Sequence, residues 1–228
     1  MKIAIIGSGF FGLTLGLFLS KTNEVHIFEK EKKILNGASA ANQFRFHLGY
    51  HYPRSQKTVT EINKSKKLFT KYYGEKIFQK TLNYYSIAVE SKVNFNNYKK
   101  FLKKNKLYNK IVKNFLPNKM INETILTNEK ILNYFSFKKI ISKKVKNSKL
   151  KIKLNKQFKK SFLKNYDKII VTAYSNNNKI LENLGVKKLD DFKFELVEKI
   201  VIKLPQKYVN KSFVVIDGNF VCVDPYLG

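Results

Sequence analysis

The sequence predicts an α/β fold that begins with a strand, a glycine turn and a helix, followed at once by a second strand. Three observations lead to this prediction: a β-branched run at residues 2–6, a long apolar stretch after it, and a second apolar run at residues 25–28. Short apolar runs of this kind are typical of buried parallel strands. With 228 residues, of which 43% are hydrophobic, the chain can bury a substantial core in one domain or in two interleaved ones.

The turn after the first strand has the pattern G-x-G-x-x-G, formed by Gly7, Gly9 and Gly12. In a dinucleotide-binding turn the first glycine permits the sharp bend, the second lets backbone N–H groups approach a pyrophosphate, and the third lets the helix pack closely on the sheet. The N-terminus of the helix then faces the phosphates with its partial positive charge. The motif therefore predicts a Rossmann-like nucleotide site, and the alternative is an ordinary turn that binds nothing.

The second strand ends at Glu29, which is placed to accept hydrogen bonds from the diol of a ribose. A carboxylate at this position disfavours a 2′-phosphate, so NADP is the least expected of the dinucleotides. The alternative is that Glu29 is a solvated carboxylate at the end of a strand.

The next part of the chain is predicted to contain two helices and a strand. The first helix covers residues 55–74, with Ser55 as the N-cap and Gly74 as the C-terminal stop. A strand is expected over residues 82–91, and a short amphipathic helix over residues 94–105. No Pro/Gly/Ser-rich linker separates these elements.

The middle of the chain is predicted from turn and cap signals. Residues 106–122 are expected to be irregular, and residues 123–142 to form a strand that runs into a helix capped by Asn128. Residues 150–154 alternate as a strand, and residues 167–175 have the composition of a buried one.

The C-terminal part is predicted to be rich in β-structure. A short helix is expected to end near Gly185. After it, residues 192–204 and 212–228 have strand composition, and residues 217–219 (DGN) indicate a hairpin turn.

The formal charge of +29 is supplied almost entirely by lysines spread along the chain, together with abundant Asn and Ile. This distribution favours a solvated, lysine-rich surface over a nucleic-acid site, and a polyanion-binding protein remains the alternative. No zinc-finger spacing or other metal motif is present, and no apolar run is long enough for a membrane span. The single cysteine, Cys222, fits a reducing compartment, so a cytoplasmic location is predicted.

The early motifs resemble a known family. The glycine turn, the stretch GASAANQFRFHLGYHYPRS after the second strand and the later DKIIVTAYS look like FAD-dependent oxidoreductases of the D-amino-acid oxidase superfamily. Within that superfamily, HLGYHYP is similar to a stretch of the 2-hydroxyglutarate oxidase and glycerol-3-phosphate oxidase branch. The resemblance implies FAD as the cofactor. The residues that it assigns to FAD are Gly7, Gly9, Phe10, Phe11, Gly12, Glu29, Lys30, Ala38, Ser39, Asn42, Gln43 and Ala173.

The resemblance also implies a discontinuous architecture. Residues 1–80 and 123–190 would form a Rossmann-like FAD-binding domain, and residues 81–122 and 191–228 an interleaved, mainly β substrate domain. Two departures stand out: Tyr174 occupies a position where the family often has glycine, and family members usually continue well past this length. We therefore expect a C-terminally truncated member, which on its own would bind FAD weakly or not at all. The alternative function is that of a non-catalytic or inactive dinucleotide-binding fragment.

The segment 42–55 holds both arginines of the chain and two of its three histidines. Oxidation of a small hydroxy or amino acid requires a base for the hydroxyl or ammonium proton and an anchor for the carboxylate. Imidazole suits the first task, and the planar guanidinium fork suits the second. The predicted catalytic residues, with tyrosines that could hydrogen-bond or wall the pocket, are Arg45, His47, Tyr50, His51, Tyr52 and Arg54. One histidine is predicted as the base and one arginine as the carboxylate anchor, without a ranking within either pair. In the alternative interpretation, the arginines pair with carboxylates or phosphates and the histidines are packing residues. A further alternative places one arginine on the FAD pyrophosphate.

Overall fold

The computed structural model describes residues 1–117, 119–187, 190–218 and 221–226. In these residues the strands are β1 (Lys2–Ile6), β2 (Glu24–Phe28), β3 (Arg45–Phe46), β4 (Phe78–Gln79), β5 (Leu82–Ala88), β6 (Asn109–Val112), β7 (Ile121–Thr127), β8 (Lys130–Leu132), β9 (Lys151–Lys153), β10 (Lys168–Val171), β11 (Lys211–Ile216) and β12 (Val221–Val223). The α-helices are α1 (Phe10–Leu19), α2 (Gln56–Tyr73), α3 (Phe95–Lys104), α4 (Tyr134–Lys146) and α5 (Asn177–Asn183). The chain divides into two compact units, and the predicted α/β class is confirmed.

The first unit, residues 1–42 and 138–200, is built on a parallel sheet in the order β9-β2-β1-β10. The sheet forms because β1 and β2 are β-branched and apolar, and their residues are almost all buried. The strand order reverses at β1, since β2 and β9 lie on one side of it and β10 on the other. In open parallel sheets, ligands bind at the carboxyl ends of the strands at such a switch point.

Helix α1 lies close to this sheet because small residues face it. A Cβ added to Gly16 would meet Ile27 Cδ1 at 2.9 Å. Leu13 and Leu17 on the same helix are buried. Close packing of α1 on the sheet keeps its N-terminus at the carboxyl end of β1, where the glycine turn lies.

The second unit, residues 43–137 and 201–228, contains a mixed five-stranded sheet in the order β12-β11-β5-β7-β6. A separate antiparallel sheet has the order β3-β8-β4. The core of the unit combines residues of the large sheet and of α3 with one tyrosine that follows β3 and one leucine that follows α3. These core residues are Tyr50, Tyr85, Ile87, Tyr98, Leu102, Leu107, Ile125, Val214 and Ile216.

The structure divides the chain at different residues from those predicted. Residues 43–80 and 123–137 belong to the second unit and not with the nucleotide-binding turn. The physical reason is strand pairing, because β8 hydrogen-bonds both β3 and β4, and β7 lies between β5 and β6. Such pairing joins residues far apart in sequence and leaves no local signal.

Most of the predicted helices and strands are confirmed, including the N-cap at Ser55, whose Oγ accepts from Thr58 N at 3.3 Å. Two predictions for the middle of the chain were wrong. The stretch predicted to be irregular contains β6, and the cap of α4 is Asn133, not Asn128. Asn133 Oδ1 accepts from Ser136 N at 2.8 Å, since one more short strand, β8, precedes the helix.

The predicted β-structure at residues 192–204 is also absent from the described chain, where this segment pairs with no strand. Its alternating apolar side chains remain exposed. Strand composition alone does not form a strand without a partner for its backbone groups. The predicted hairpin is confirmed by the antiparallel pairing of β11 with β12, although Asn219 in its turn lies outside the described residues.

Candidate functional site

The first unit contains a cavity of about 1000 Å³ at the carboxyl ends of β1, β2 and β10. Gly7 and Gly9 line it after β1, Glu29 after β2, and Thr172 and Ala173 after β10. These three strand ends flank the point where the strand order reverses. The cavity therefore lies where nucleotides bind in folds of this kind.

The glycine turn is built so that backbone, not side chains, forms the wall of the cavity. Gly7 has φ of +106°, and a Cβ there would lie 2.8 Å from the backbone oxygen of Thr172. A Cβ at Gly12 would lie 2.0 Å from the oxygen of Gly7. A side chain at Gly7 would collide with the backbone that follows β10, and one at Gly12 would push α1 away from the end of β1, so the glycines are needed for the turn itself.

Glu29 faces the cavity with its carboxylate held in place. Its Oε2 accepts from the backbone N and Oγ of Ser8 at 2.8 and 2.7 Å, and its Oε1 accepts from Glu31 N at 2.9 Å. Because a carboxylate offers about four acceptor positions, Oε1 retains one for a ligand hydroxyl. The strand-end carboxylate is thus oriented by the turn that precedes the helix.

The charge around the cavity is mainly positive. Five lysines line it: Lys30, Lys156, Lys159, Lys160 and Lys179. The acidic residues of its lining are Glu29 and Glu31, and the rings of Phe10, Phe11 and Phe158 provide apolar wall. This combination suits a ligand with both anionic groups and an aromatic ring.

The structure brings most of the predicted cofactor residues to this cavity, including Ala38, Ser39 and Asn42. Ser39 Oγ accepts from Phe10 N at 3.0 Å and so contacts the start of α1. Gly12 lies behind the wall, and Gln43 is an exposed residue of the second unit. Thr172 was not selected, although its neighbour Ala173 in the same stretch was. Lys156, Lys159 and Lys160 were not selected either, because they follow β9, a strand that carries no motif.

In the second unit, Arg45 is buried and its guanidinium is surrounded by protein groups. Nε and Nη2 lie 3.1 and 3.0 Å from Oε1 of Glu129, and Nη1 donates to Asp224 and Ser212. Only 1% of its side chain is exposed. In this structure the fork binds carboxylates of the protein, as in the alternative interpretation of the arginines.

Arg54 is arranged differently, because 56% of its side chain is exposed. Nε and Nη2 donate to the carboxylate of Asp217, the Nη2 bond being 3.2 Å long, and Asp217 is itself buried. The hydrogen bond that Arg54 donates to Asp217 raises the pKa of Arg54. The guanidinium is therefore fixed from one edge while it remains accessible from outside.

The two histidines and Tyr52 form a cluster of rings. The ring centroids of His47 and His51 are 5.5 Å apart, and Tyr52 lies 5.5 Å from His47. Burial, and then the neighbouring His47, lower the pKa of His51 to about 4. His51 is therefore neutral at physiological pH, and burial raises the pKa of the Tyr52 hydroxyl.

Tyr50 is a core residue, not part of an accessible wall. Its side chain is fully buried, and its hydroxyl lies 2.6 Å from Asn128 Oδ1 and 2.7 Å from the backbone oxygen of Tyr108. Burial raises the pKa of this hydroxyl. Tyr50 therefore contributes to the packing of the second unit.

The groups most closely connected to the predicted cluster are acids that the sequence analysis did not select. Glu129 contacts Arg45 and His47, and Asp217 contacts Arg54. Asp217 was interpreted only as part of a turn signal, and Glu129 stands in TNEK, which has no recognisable pattern. The described residues contain no group of three or more His, Cys, Asp or Glu side chains suited to a metal. Within the same residues no helix has the length and apolar character required to cross a membrane.

Comparisons with known proteins agree with this architecture. No family model matches the chain. A curated relative, the FAD-dependent monooxygenase FPY4 of Fusarium mangiferae, is 31% identical over 100 residues, which are 43% of this chain and 27% of that protein.

Solved structures show the same fold at low identity. L-proline dehydrogenase from P. horikoshii superposes with a TM-score of 0.67 at 15% identity, covering 94% of this chain and 64% of that one. Glycine oxidase from Geobacillus kaustophilus gives 0.61 at 13%, covering 80% and 58%. The L-α-glycerophosphate oxidase of Mycoplasma pneumoniae, solved with FAD bound, gives 0.55 at 17%, covering 68% and 44%. The chain thus spans about a quarter of the curated relative and roughly half of these structures, and it shares the fold of the corresponding part of these three structures.

Proposed function

We propose that this chain, which has the fold of the D-amino-acid oxidase superfamily, is an FAD-dependent oxidoreductase that acts on a small hydroxy or amino acid. The observation that carries the proposal is the cavity of the first unit, where the glycine turn, an oriented Glu29 and a lysine-rich rim meet at the switch point of a parallel sheet. The FAD-dependent relative and the FAD-bound oxidase with the same fold support the choice of cofactor.

The residues present fit the ADP half of FAD. Gly7 and Gly9 line the cavity with backbone and no side chain, so a pyrophosphate can approach the turn closely, and the start of α1 contributes positive partial charge. Glu29 would accept from the ribose diol with its remaining lone pair. When bound, FAD supplies an acceptor for the hydride of the substrate.

His47 is the better candidate for the base. Because the pKa of His51 is about 4, its imidazole is too weak a base to keep a substrate proton near neutral pH. His47 keeps 29% of its side chain exposed, so a substrate can reach the imidazole. In this proposal His47 takes the hydroxyl or ammonium proton, and His51 and Tyr52 shape its surroundings.

Arg54 is the better candidate for the carboxylate anchor. Its guanidinium is more than half exposed, whereas that of Arg45 is enclosed by Glu129 and Asp224. Asp217 fixes the Arg54 fork, which limits the entropy lost when a carboxylate binds. Arg45 would act as a structural cation beneath the histidine cluster.

The test is flavin reduction under anaerobic conditions with a panel of small 2-hydroxy acids, amino acids and glycerol 3-phosphate. The proposal predicts loss of the flavin absorbance with at least one of them. Arg54→Lys keeps the charge but removes the fork, so KM is expected to rise at least tenfold, while His47→Gln lowers kcat. A protein that binds FAD but is reduced by no compound of the panel would instead support a non-catalytic nucleotide-binding role.

We also propose a cytoplasmic location, because the sequence holds a single cysteine, Cys222, and so no pair for an intramolecular disulfide. The panel of compounds would identify the substrate within the class of small hydroxy and amino acids.

A further inference from the structure

The Nδ1 atom of His47 is in an unusual position. It is buried, and it makes no ordinary hydrogen bond within the described residues. It lies 3.4 Å from Oε1 of Glu129. Because 29% of the side chain is nevertheless exposed, the exposure comes from other atoms of the ring. One edge of the imidazole thus faces a buried carboxylate and the other is open.

The carboxylate of Glu129 is held from several directions. Its Oε1 accepts from Arg45 Nη2 at 3.0 Å and from the Tyr85 hydroxyl at 2.6 Å, and its Oε2 accepts from Leu48 N at 3.0 Å. None of its side chain is exposed. Donors from β3 with the residues just after it, and from β5, therefore fix the carboxylate.

The carboxyl group of Glu129 is negatively charged. Burial raises the pKa of this carboxyl, but the contacts with His47 and then with Arg45 outweigh burial and lower the pKa from 4.5 to about 2. Glu129 is therefore ionised at any pH at which an imidazole can act as a base.

We infer that Glu129 is a positioning residue that holds His47 in the tautomer with a proton on Nδ1. If Nδ1 were unprotonated, its lone pair would face a buried carboxylate oxygen, and two acceptors would be left opposed without a proton between them. With the proton on Nδ1, the contact is favourable, and the lone pair of the neutral ring is on Nε2.

For its catalytic meaning this inference rests on the proposed function. In the oxidation proposed above, the O–H bond of the substrate would break, its electron pair would stay on oxygen, and the proton would form a new N–H bond at Nε2. The imidazolium so formed would lie beside Glu129, which stabilises its positive charge. Glu129 does not touch the substrate, and it acts through His47.

The experiment measures the tautomer directly, on the full chain without added flavin. Histidine is labelled with ¹⁵N, and the Nδ1 and Nε2 shifts are recorded in alkaline solution, where imidazoles are neutral. Since the chain has three histidines, His47→Gln suffices to assign the signals of interest. We expect Nδ1 of His47 to give the shift of a protonated nitrogen and Nε2 that of an unprotonated one.

Two variants separate positioning from a general effect on structure. Glu129→Gln should end the dominance of the Nδ1-protonated form, because the opposed carboxylate charge is gone. Glu123→Gln makes the same change on β7, away from these contacts, and should leave the His47 shifts as they are. If Glu129→Gln does not fold, the wild-type shifts still decide, and Tyr85→Phe, which keeps the carboxylate, should preserve the tautomer.

A wild-type His47 protonated on Nε2, or a folded Glu129→Gln protein with unchanged shifts, would overturn the inference. Neither result depends on flavin. A protein that binds no FAD, or is reduced by no substrate, would refute the proposed function and leave the tautomer assignment intact.

Discussion

Replacement of Gly12 by alanine is expected to damage the nucleotide site without touching a ligand. The new Cβ would lie 2.0 Å from the Gly7 oxygen and 2.7 Å from Thr172 Oγ1. The first contact is with backbone, so no side-chain rotation relieves it and β1 and α1 must separate. Overpacking of this kind costs up to about 3 kcal/mol. Alanine recovers roughly 1 kcal/mol of helix propensity, so the net loss is about 2 kcal/mol.

For a chain of this size, that loss corresponds to a fall in Tm of about 4–8 °C. FAD affinity should fall at least tenfold, because the backbone N–H groups of the turn move with α1. Thermal unfolding followed by circular dichroism, and titration of FAD followed by flavin fluorescence, measure the two effects. Gly37→Ala is the matched control, since Gly37 lines the same cavity and a Cβ there would meet nothing within 4 Å. A Gly12→Ala protein with the stability and FAD affinity of Gly37→Ala would refute the reasoning.

Three further predictions concern charged and titratable groups. Glu29→Gln should weaken ADP binding about tenfold, because a hydrogen bond to a carboxylate contributes roughly 1.5 kcal/mol. Glu31→Gln is the control and should leave ADP affinity unchanged. Equal losses of ADP affinity in a calorimetric titration of the two variants would contradict this prediction. Arg45→Met should lower the free energy of unfolding in urea by about 3–5 kcal/mol, because it leaves buried carboxylates uncompensated. Lys130→Met removes an ion pair with Glu75 in which both side chains are exposed, so it should cost less than about 1 kcal/mol, and equal losses would be incompatible with the role assigned to Arg45. Since burial lowers the pKa of His51 from 6.5 to about 4, its contribution to stability is present above pH 6.5 and is lost as the pH falls toward 4. His51→Gln should flatten the urea stability curve in that window, and an unchanged slope would exclude this role.

In the first unit, patterns that are local in the sequence were enough to predict the glycine turn and the acidic strand end of the cavity. The glycine turn and the acidic end of β2 act within one strand–helix–strand segment, so their spacing in sequence predicts their meeting in space. At Tyr174, where the family often has glycine, the backbone has φ of +56°. This is the left-handed conformation that glycine adopts most readily, so the backbone at this position has a geometry that favours glycine although the residue is tyrosine.

The second unit shows where sequence reasoning stops. The segment 42–55 was correctly selected as unusual, but the partners of its side chains are Glu129, Asp217 and Asp224, which lie 84, 163 and 179 residues away from the arginines they bind. They arrive through strand pairing of β8 with β3 and through the position of β11 in the large sheet. Because no local pattern encodes that pairing, the choice between an exposed and an enclosed arginine required the structure.

The central claim is that the cavity of the first unit binds FAD. Its most direct test is the titration of the purified chain, freed of bound flavin, with FAD, with flavin fluorescence and the visible spectrum as readouts. The account predicts saturable binding of one FAD per chain, competition by ADP, and a loss of affinity in Gly12→Ala but not in Gly37→Ala. A colourless protein that binds no FAD at any concentration tested would contradict it.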